Sequence, residues 1–330
     1  MFKVYKFGGS VLRSASDIRN ILDIVSKDNA RTIIVFSAFF GQTDALIDAA
    51  KTAEHNKKYD AQLQEIINFH KNIAISLGIG FDFLHDIFNE INKIFLDVHI
   101  LKNLSEEKLD RIMSFGERFS TLIISQFFKT KLDTFLLEAT DIIKTDSNFG
   151  AANVDFDKTT LCTTNTLSKI KENYIIIAGF IGSDNKNTIT TLGRNGSDYT
   201  AAIISGIVKA DRLEIWKDVD GLYTADPKIV KDARFIDMVS YNEMEELAYF
   251  GNKVIAINAM QPIIENNIAV CVRNVNNHSF SGTLVSNQTN IDHRIKGVTK
   301  IDNCILFEIA KLDNVNILFR QTAHNSFGKI

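Results

Sequence analysis

The sequence predicts an α/β fold in which helices pack around a largely parallel β-sheet. Short apolar strands alternate with helical segments through most of the chain, a succession typical of this class. Two strands, Arg31–Ser37 and Tyr174–Gly182, are almost continuously apolar, as parallel strands covered on both faces are. With 330 residues, 45% of them hydrophobic, the chain can bury a large core in one big domain or two smaller ones.

Composition argues against several classes of partner. The net charge is −3 with interspersed signs, so the chain lacks the basic surface expected of a nucleic-acid-binding protein. No apolar run approaches the roughly 20 residues of a membrane helix, and a strand at Phe2–Phe7 leaves no room for a signal peptide. Cys162, Cys271 and Cys304 lack metal-binding spacing. They favour a cytoplasmic location, where thiols stay reduced.

The first strand leads through Gly8-Gly9-Ser10 into a helix from about Ser16. A strand, a glycine pair and a helix make a turn that suits a phosphate group. The turn is not a Walker A loop, because Lys6 precedes the glycines, and it lacks the third glycine of a dinucleotide fingerprint. On spacing alone, Lys6 is either a phosphate ligand or an exposed strand residue.

The second strand delivers Ser37 to its carboxyl end, and a helix bearing Thr43 and Asp44 follows. Ligands of open α/β sheets bind beyond the carboxyl ends of the strands, so Ser37 and Thr43 are candidates for a binding site. Alternatively, Thr43 only caps its helix.

Residues 55–105 differ from their surroundings in having few glycines and two long amphipathic helices. Each helix has one apolar stripe, the first formed by Leu63, Ile66, Ile67, Ile73 and Leu77 and the second by Leu84, Ile87, Ile91, Ile94, Val98 and Leu101. This pattern predicts a helical hairpin inserted into the α/β unit. No carboxylate or cysteine pattern accompanies His70, His85 and His99, so we interpret them as packing or surface residues.

A third long helix, about Ser105–Lys129, contains Gly116 in its interior. Such a glycine costs about 1 kcal/mol relative to alanine, and it often marks the close approach of another group. The neighbouring Glu117 could bind a substrate ammonium group. On this pattern alone, a surface glutamate paired with Arg118 or Arg111 is favoured.

Another loop joins a strand to a helix through Gly193 and Gly196. Ser197 is predicted to be the helix N-cap, and Asp198 suits the first turn electrostatically. The helix start offers N–H groups to an anion, and Arg194 adds a planar fork for a carboxylate or phosphate. An ordinary strand-to-helix connection with a solvated arginine is the alternative.

The rest of the chain continues the alternation of strands and helices. An acidic loop, Asp218–Tyr223, follows a strand, and its spacing does not fit an EF-hand. From about Lys296, two short strands begin a small appended unit. Further strands are predicted at Thr134–Glu138, Arg212–Lys217 and Ala269–Arg273, and further helices at Leu161–Lys171, Tyr241–Ala248 and Ala256–Glu265. The polar segment Asp141–Asn153 is predicted to be a loop.

Short motifs spread over residues 3–285 follow the order found in one family. They are Lys6-Phe7-Gly8-Gly9-Ser10, Ser37-Ala38 with Gly41 and Thr43-Asp44, Phe115-Gly116-Glu117, Gly179–Ser183, Thr190–Ala202, Trp216–Pro227 and Phe250–Val254. On these residues the chain resembles the aspartate kinases of the amino-acid kinase superfamily. The most specific parts are Thr190–Ala202 and Asp218–Tyr223.

The resemblance implies an amino-acid-kinase-like three-layer α/β/α sandwich. Residues 1–290 would form the catalytic domain, with the hairpin at 55–105 as an insertion, and residues 291–330 a truncated remnant of a regulatory ACT domain. The implied reaction transfers the ATP γ-phosphoryl group to the side-chain carboxylate of L-aspartate, giving 4-phospho-L-aspartate. This is the first step of the pathway to lysine, threonine and methionine. Mg²⁺ would accompany ATP, with no dedicated protein metal site.

The resemblance also implies roles for single residues. Lys6 would neutralise charge on the transferring phosphoryl group, and Asp198 would hold Lys6 in place. Arg194 would bind an aspartate carboxylate and Glu117 its ammonium group. The other substrate-binding positions are Ser37, Thr43, Phe180 and Ser197. The nucleotide-binding positions are Lys6, Gly8, Gly9, Ser10, Lys217, Asp218, Tyr223, Lys228, Lys253 and Val254.

The sequence departs from the family pattern at several positions. They are Val11, Phe39-Phe40, Asn195, Lys217 and Ala256-Ile257, the last in place of a His-Pro pair. Two alternatives therefore stay open: a kinase of a different amino-acid carboxylate, and a non-catalytic nucleotide-binding subunit. The truncated regulatory region predicts no ordinary feedback by lysine or threonine. It leaves both a homodimer and a partner subunit open.

Overall fold

The computed structural model describes residues 2–27, 30–249, 260–288 and 297–298, all within the compact unit formed by residues 1–299. The strands are β1 (Lys3–Phe7), β2 (Thr32–Phe36), β3 (Thr134–Leu137), β4 (Tyr174–Ala178), β5 (Ile181–Ser183), β6 (Ile189–Thr191), β7 (Arg212–Lys217), β8 (Leu222–Tyr223), β9 (Phe235–Ile236), β10 (Met238–Ser240), β11 (Ala269–Asn274) and β12 (Thr283–Ser286). The helices are α1 (Ala15–Val25), α2 (Gln42–Glu54), α3 (Asp60–Leu77), α4 (His85–Leu101), α5 (Glu106–Phe128), α6 (Ala139–Ile142), α7 (Phe156–Leu167), α8 (Gly196–Ile207), α9 (Tyr241–Tyr249) and α10 (Met260–Glu265).

The main sheet of the described residues has eight strands in the order β10-β12-β11-β7-β1-β2-β4-β3. Every neighbouring pair is parallel except β11 and β12, so the predicted largely parallel sheet is confirmed. Two short antiparallel pairs, β5 with β6 and β8 with β9, lie outside it.

The sheet separates two hydrophobic cores, which makes the fold a three-layer sandwich. Along β1, Tyr5 and Phe7 belong to the core shared with α1 to α5, and Val4 belongs to the core shared with α6 to α10. Successive strand residues point to opposite faces. Both faces of the central strands are therefore covered, which explains why these strands are almost entirely apolar.

The inserted helical hairpin is present as α3 and α4. The predicted apolar stripes of both helices are buried, except that Leu101, the last residue of α4, is 58% exposed. His70 is buried against Phe39, Phe69 and Phe119, and burial lowers its pKa to about 4. Its interpretation as a packing residue is confirmed.

Several predicted element bounds are wrong. The helix predicted at Leu161–Lys171 begins at Phe156 because the side chain of Asp155 accepts a hydrogen bond from the Lys158 N–H and caps it there. It ends at Leu167. The polar segment after residue 141, predicted as a loop, begins inside the short helix α6.

Some predictions fall outside the described residues. Of the helix predicted at Ala256–Glu265, the part from Met260 is described as α10. The two strands expected after Lys296 lie largely outside, and the boundary between residues 290 and 291 stays a prediction. Within the described ranges, no helix combines the length and the apolar character that crossing a membrane requires.

Candidate active site

A pocket lies at the carboxyl ends of the central strands. Because β1, β2 and β4 are parallel neighbours, the segments that follow them meet at one edge of the sheet. A cavity of about 640 Å³ opens there. Its lining includes the predicted catalytic residues Lys6 and Asp198, the predicted substrate-binding residues Ser37, Thr43, Glu117, Phe180, Arg194 and Ser197, and the predicted nucleotide-binding residues Gly9 and Ser10.

Lys6 and Asp198 form a buried ion pair in the lining. Lys6 Nζ lies 2.5 Å from Asp198 Oδ1, and each side chain is 7% exposed. Lys6 therefore is not an exposed strand residue. Asp198 lies in the first turn of α8, where the helix dipole favours negative charge. A Cβ at Gly8 would come within 3.1 Å of Lys6 Nζ, so the glycine leaves room for the ammonium group.

Glu117 is a buried carboxyl group, not the surface glutamate that the sequence pattern favours. Arg111 and Arg118 instead form ion pairs with Glu90 of the inserted hairpin. Burial raises the pKa of Glu117 to about 8, although hydrogen bonds from Ala38 and Ser197 and the charge of Lys6 lower it. Its Oε2 is buried without a hydrogen-bond partner. A buried oxygen without a hydrogen-bond partner lowers the stability of the fold unless a ligand supplies a donor.

The interior glycine of α5 explains how Glu117 reaches the pocket. A Cβ at Gly116 would lie 2.8 Å from Ala38 Cβ and 3.3 Å from Thr43 Oγ1, so α5 packs closely on the segment after β2. Ser120 reinforces this contact, because its hydroxyl donates to the Ser37 carbonyl at 2.7 Å. The predicted close approach at Gly116 is confirmed.

The loop before α8 has a different cap from the predicted one. Asn195, not Ser197, is the N-cap, and its carbonyl accepts hydrogen bonds from the N–H groups of Asp198 and Tyr199 at 3.0 and 3.1 Å. Asn195 has φ 59° and lies in the left-handed region, which asparagine tolerates better than most residues. This explains why asparagine can stand where a glycine was expected. With the cap formed by backbone, the Ser197 hydroxyl is available to Glu117.

The apolar run Tyr174–Gly182 is two strands, not one. β4 ends at Ala178, and β5 begins at Ile181 in a different sheet. The chain turns at Phe180, which has φ 70°. A Cβ on Gly179 would lie 2.5 Å from Ser197 Cβ, so the start of α8 packs directly on the break. The turn places Phe180 in the pocket lining instead of continuing the strand.

The predicted nucleotide-binding residues are only partly brought together. Asp218 accepts a hydrogen bond from Ser10 Oγ at 3.3 Å and pairs with Arg13 at 3.5 Å. Lys217 ends β7, the strand next to β1. Burial lowers the pKa of Lys217, the positive charge of Lys6 adds to this lowering, and the charges of Asp198 and Asp218 oppose it.

Of four other nucleotide-binding predictions, two do not line the pocket and two lie outside the described residues. Tyr223 packs edge-on against Phe235, with ring centroids 5.8 Å apart. Lys228 is exposed on the loop that follows. Lys253 and Val254, together with Ala256-Ile257, lie outside the described residues.

Sequence reasoning missed some residues of the pocket. Met113, Ile47 and Gly150 also line it, and the segment containing Gly150 was recognised only as a polar loop. A signal for Met113 was available, because it lies one helical turn before Glu117 on the same face of α5. Ile47 follows Thr43 with the same spacing on α2.

The raised pKa of Glu117 predicts a pH-dependent cost in stability. In the unfolded chain a glutamate loses its proton near pH 4.5, whereas folded Glu117 keeps it to about pH 8. Stability should therefore fall as pH rises through this window, by up to about 1.4 kcal/mol per pH unit. Glu117→Gln stays neutral and should gain free energy of unfolding over the wild type between pH 5 and 8. Urea unfolding without ligand measures this difference.

Glu107→Gln is the matched control for that measurement, since Glu107 is an exposed residue of the same helix. A difference between Glu117→Gln and the wild type that stays constant from pH 5 to 8 contradicts the prediction.

Comparison with known proteins identifies the family. Residues 1–274 match the amino acid kinase family. The chain belongs to this family. Relatives of this chain include the chloroplastic bifunctional aspartokinase/homoserine dehydrogenase 2 of Arabidopsis thaliana, 31% identical over 94% of this chain and 36% of the relative. The aspartokinase of Chlamydia trachomatis serovar D is 34% identical over 86% of this chain and 64% of the relative.

A solved structure agrees with these relatives. Aspartokinase III of E. coli, in complex with aspartate and ADP, superimposes with a TM-score of 0.78 at 32% identity. The match covers 88% of this chain and 66% of that chain. The chain thus spans about a third of the bifunctional relative and 64% of the Chlamydia trachomatis aspartokinase.

Proposed function

We propose that this amino acid kinase is an aspartate kinase that transfers the γ-phosphoryl group of ATP to the side-chain carboxylate of L-aspartate. The observation that carries the proposal is the arrangement of the pocket, in which Glu117, Arg194 and the Lys6–Asp198 pair all line one cavity. The relatives and the solved aspartokinase complex support the same activity.

The acceptor half of the pocket suits an amino acid. The unpartnered Oε2 of Glu117 would accept a hydrogen bond from the α-ammonium group, and Arg194 would bind a carboxylate through its planar fork. Glu117 keeps its proton up to about pH 8 in the free protein, and an ammonium ligand favours the carboxylate form. Binding below pH 8 would therefore release a proton from Glu117.

The donor half of the pocket suits a triphosphate. In the reaction, an aspartate carboxylate oxygen forms a bond to the γ-phosphorus while the bond to the β,γ-bridging oxygen breaks and ADP leaves. Phosphoryl transfer depends mainly on positioning and on neutralising charge. Lys6 would stabilise the charge on the transferring group, and Asp198 holds the ammonium group in place. Gly8, Gly9 and Ser10 would contact the phosphates.

Mg²⁺ would enter this site as a companion of ATP. Mg²⁺ keeps several waters and binds through phosphates with one or two carboxylates. Asp218, next to Ser10, is the carboxylate that would approach it. When bound, the ion neutralises phosphate charge.

A kinase for a different amino-acid carboxylate is the second candidate, and one observation favours it. Phe40 and Asn195, two positions that depart from the family pattern, both line the pocket. Phe40 is 58% exposed and lies under the guanidinium of Arg13, 4.9 Å from the ring centroid. A bulky apolar side chain at this position would alter the part of the lining that faces the acceptor.

A panel of acceptors tests the proposal. The full chain is assayed with MgATP and L-aspartate, L-glutamate, D-aspartate and L-asparagine, with ADP release and hydroxamate trapping of the acyl phosphate as readouts. We expect trapped product with L-aspartate at the highest kcat/KM. Preference for another carboxylate favours the second candidate. ATP binding without turnover on any acceptor would make the chain a non-catalytic nucleotide-binding subunit.

A further inference from the structure

Asp110, in the second turn of α5, is a buried carboxylate that does not line the pocket. It is 0% exposed and accepts hydrogen bonds from two separate segments. The Gly150 N–H donates to both carboxylate oxygens at 3.0 Å. The Thr191 N–H donates to Oδ2 at 2.8 Å, and the Thr191 hydroxyl donates to Oδ1 at 2.7 Å. Hydrogen bonds to an ionised carboxylate are stronger than neutral ones.

Both segments continue directly into the pocket. Gly150 lines the cavity itself, and Thr191 ends β6, three residues before Arg194. The segments also hold each other, because the Ala152 N–H donates to the Thr191 carbonyl at 2.8 Å. A Cβ at Gly193 would lie 3.4 Å from the Ala151 Cβ, so the loop that carries Arg194 rests on the segment held by Asp110.

The same helix carries the other end of the acceptor site. Asp110 and Glu117 are seven residues apart on α5, which is two helical turns or about 10 Å on one face. A rigid helix thus connects Glu117 to the carboxylate that holds β6. Asp110 thus links the helix of Glu117 to the strand that leads into the Arg194 loop.

We propose that Asp110 is a positioning residue that holds the Arg194 loop at a fixed distance from Glu117, so that the pocket selects the length of its amino-acid acceptor. The proposal rests on the proposed function. It deepens that function by naming the cause of acceptor choice. Because of this spacing, the pocket would prefer the four-carbon aspartate over the five-carbon glutamate. Asp110 itself would not touch either substrate.

The test uses Asp110→Asn, and Thr191→Val as a milder variant that keeps the side-chain shape. An asparagine amide presents a donor in place of one accepting oxygen and removes the charge, so the hydrogen bonds that hold both segments are weakened. We expect the KM for L-aspartate to rise about 5- to 20-fold, as misplacement of a binding group does. We expect the KM for ATP to change less than twofold and the aspartate-to-glutamate ratio of kcat/KM to fall. Thr191→Ser keeps the hydroxyl and should retain wild-type values.

Thr159→Val is the matched control. Thr159 is as buried as Thr191, and its hydroxyl accepts a hydrogen bond from the Lys144 N–H at 3.0 Å, but its hydrogen bonds are to Lys144 and not to Asp110. The proposal is overturned if Thr159→Val raises the KM for aspartate as much as Thr191→Val does. Equal changes in the KM values for aspartate and ATP, or an unchanged acceptor ratio in Asp110→Asn, also overturn it.

Amide hydrogen exchange separates this proposal from the proposed function. Faster exchange over residues 148–153 and 190–196 in Asp110→Asn, with wild-type exchange over residues 112–122, supports the positioning role whether or not the protein turns over aspartate. Unchanged exchange in both segments overturns it. A wild type that phosphorylates no acceptor overturns the proposed function and leaves the exchange result to decide the role of Asp110.

Discussion

Lys6→Ala should lower kcat for aspartate phosphorylation by about 100- to 1,000-fold. Lys6 is held at a fixed point by Asp198, 2.5 Å away, and both side chains are almost fully buried. A preorganised charge of this kind contributes more to the transition state than a mobile one, because it needs no reorganisation during the reaction. Steady-state kinetics at saturating aspartate and MgATP measure the loss.

A second variant separates the loss in catalysis from loss of folding. Lys6→Ala leaves Asp198 as an uncompensated buried charge, which costs about 3–5 kcal/mol in similar cases. Adding Asp198→Asn removes that charge, so the double variant should regain stability while its kcat stays low. Lys3→Ala, on the same strand but half-buried, is the control and should keep wild-type kcat. Recovery of kcat in the double variant would show that Lys6 acts only through stability.

Arg194→Ala should lower the affinity for aspartate about 10- to 150-fold while leaving the affinity for ATP nearly unchanged. The figure follows from about 1.5–3 kcal/mol for one lost hydrogen bond to a charged group. Arg194 is exposed in the pocket lining, on the loop between Gly193 and Asn195. Calorimetric titration with aspartate, and separately with the nucleotide, measures both affinities.

Arg111→Ala is the matched control for Arg194→Ala. Arg111 is also a partly exposed arginine, paired with Glu90 on the inserted hairpin, and it does not line the pocket. Its replacement should leave both affinities unchanged. Equal losses of aspartate and ATP affinity in Arg194→Ala would mean that Arg194 does not belong to the acceptor half of the site.

Much of the fold could be predicted because it depends on local patterns. A strand covered on both faces has to be apolar at nearly every position, so β2 and β4 are recognisable without knowing their neighbours. The buried face of α1, with Ile18, Ile21 and Val25, follows from helical spacing alone. The inserted hairpin was recognisable for the same reason.

The predicted ends of strands and helices are wrong where a contact with a distant segment overrides the local pattern. Tyr174 to Gly182 is apolar throughout, yet the strand breaks at Gly179 because the start of α8 packs there and leaves no space for a Cβ. Ser197 is a favourable N-cap by residue type, but the backbone of Asn195 forms the cap. Neither outcome can be deduced from residue preferences, because the deciding partner is elsewhere in the chain.

The sequence by itself determined the alternating strands and helices, the glycine-containing turns at the carboxyl ends of strands and, through its motifs, the family. Only the tertiary structure decided the state of the functional groups. By sequence, Glu117 resembles a surface residue beside two arginines, but both arginines form ion pairs with Glu90. The close packing of Gly116 on Ala38 directs Glu117 into the pocket. Burial and electrostatic partners depend on which segments meet in space, and spacing along one segment carries no information about that.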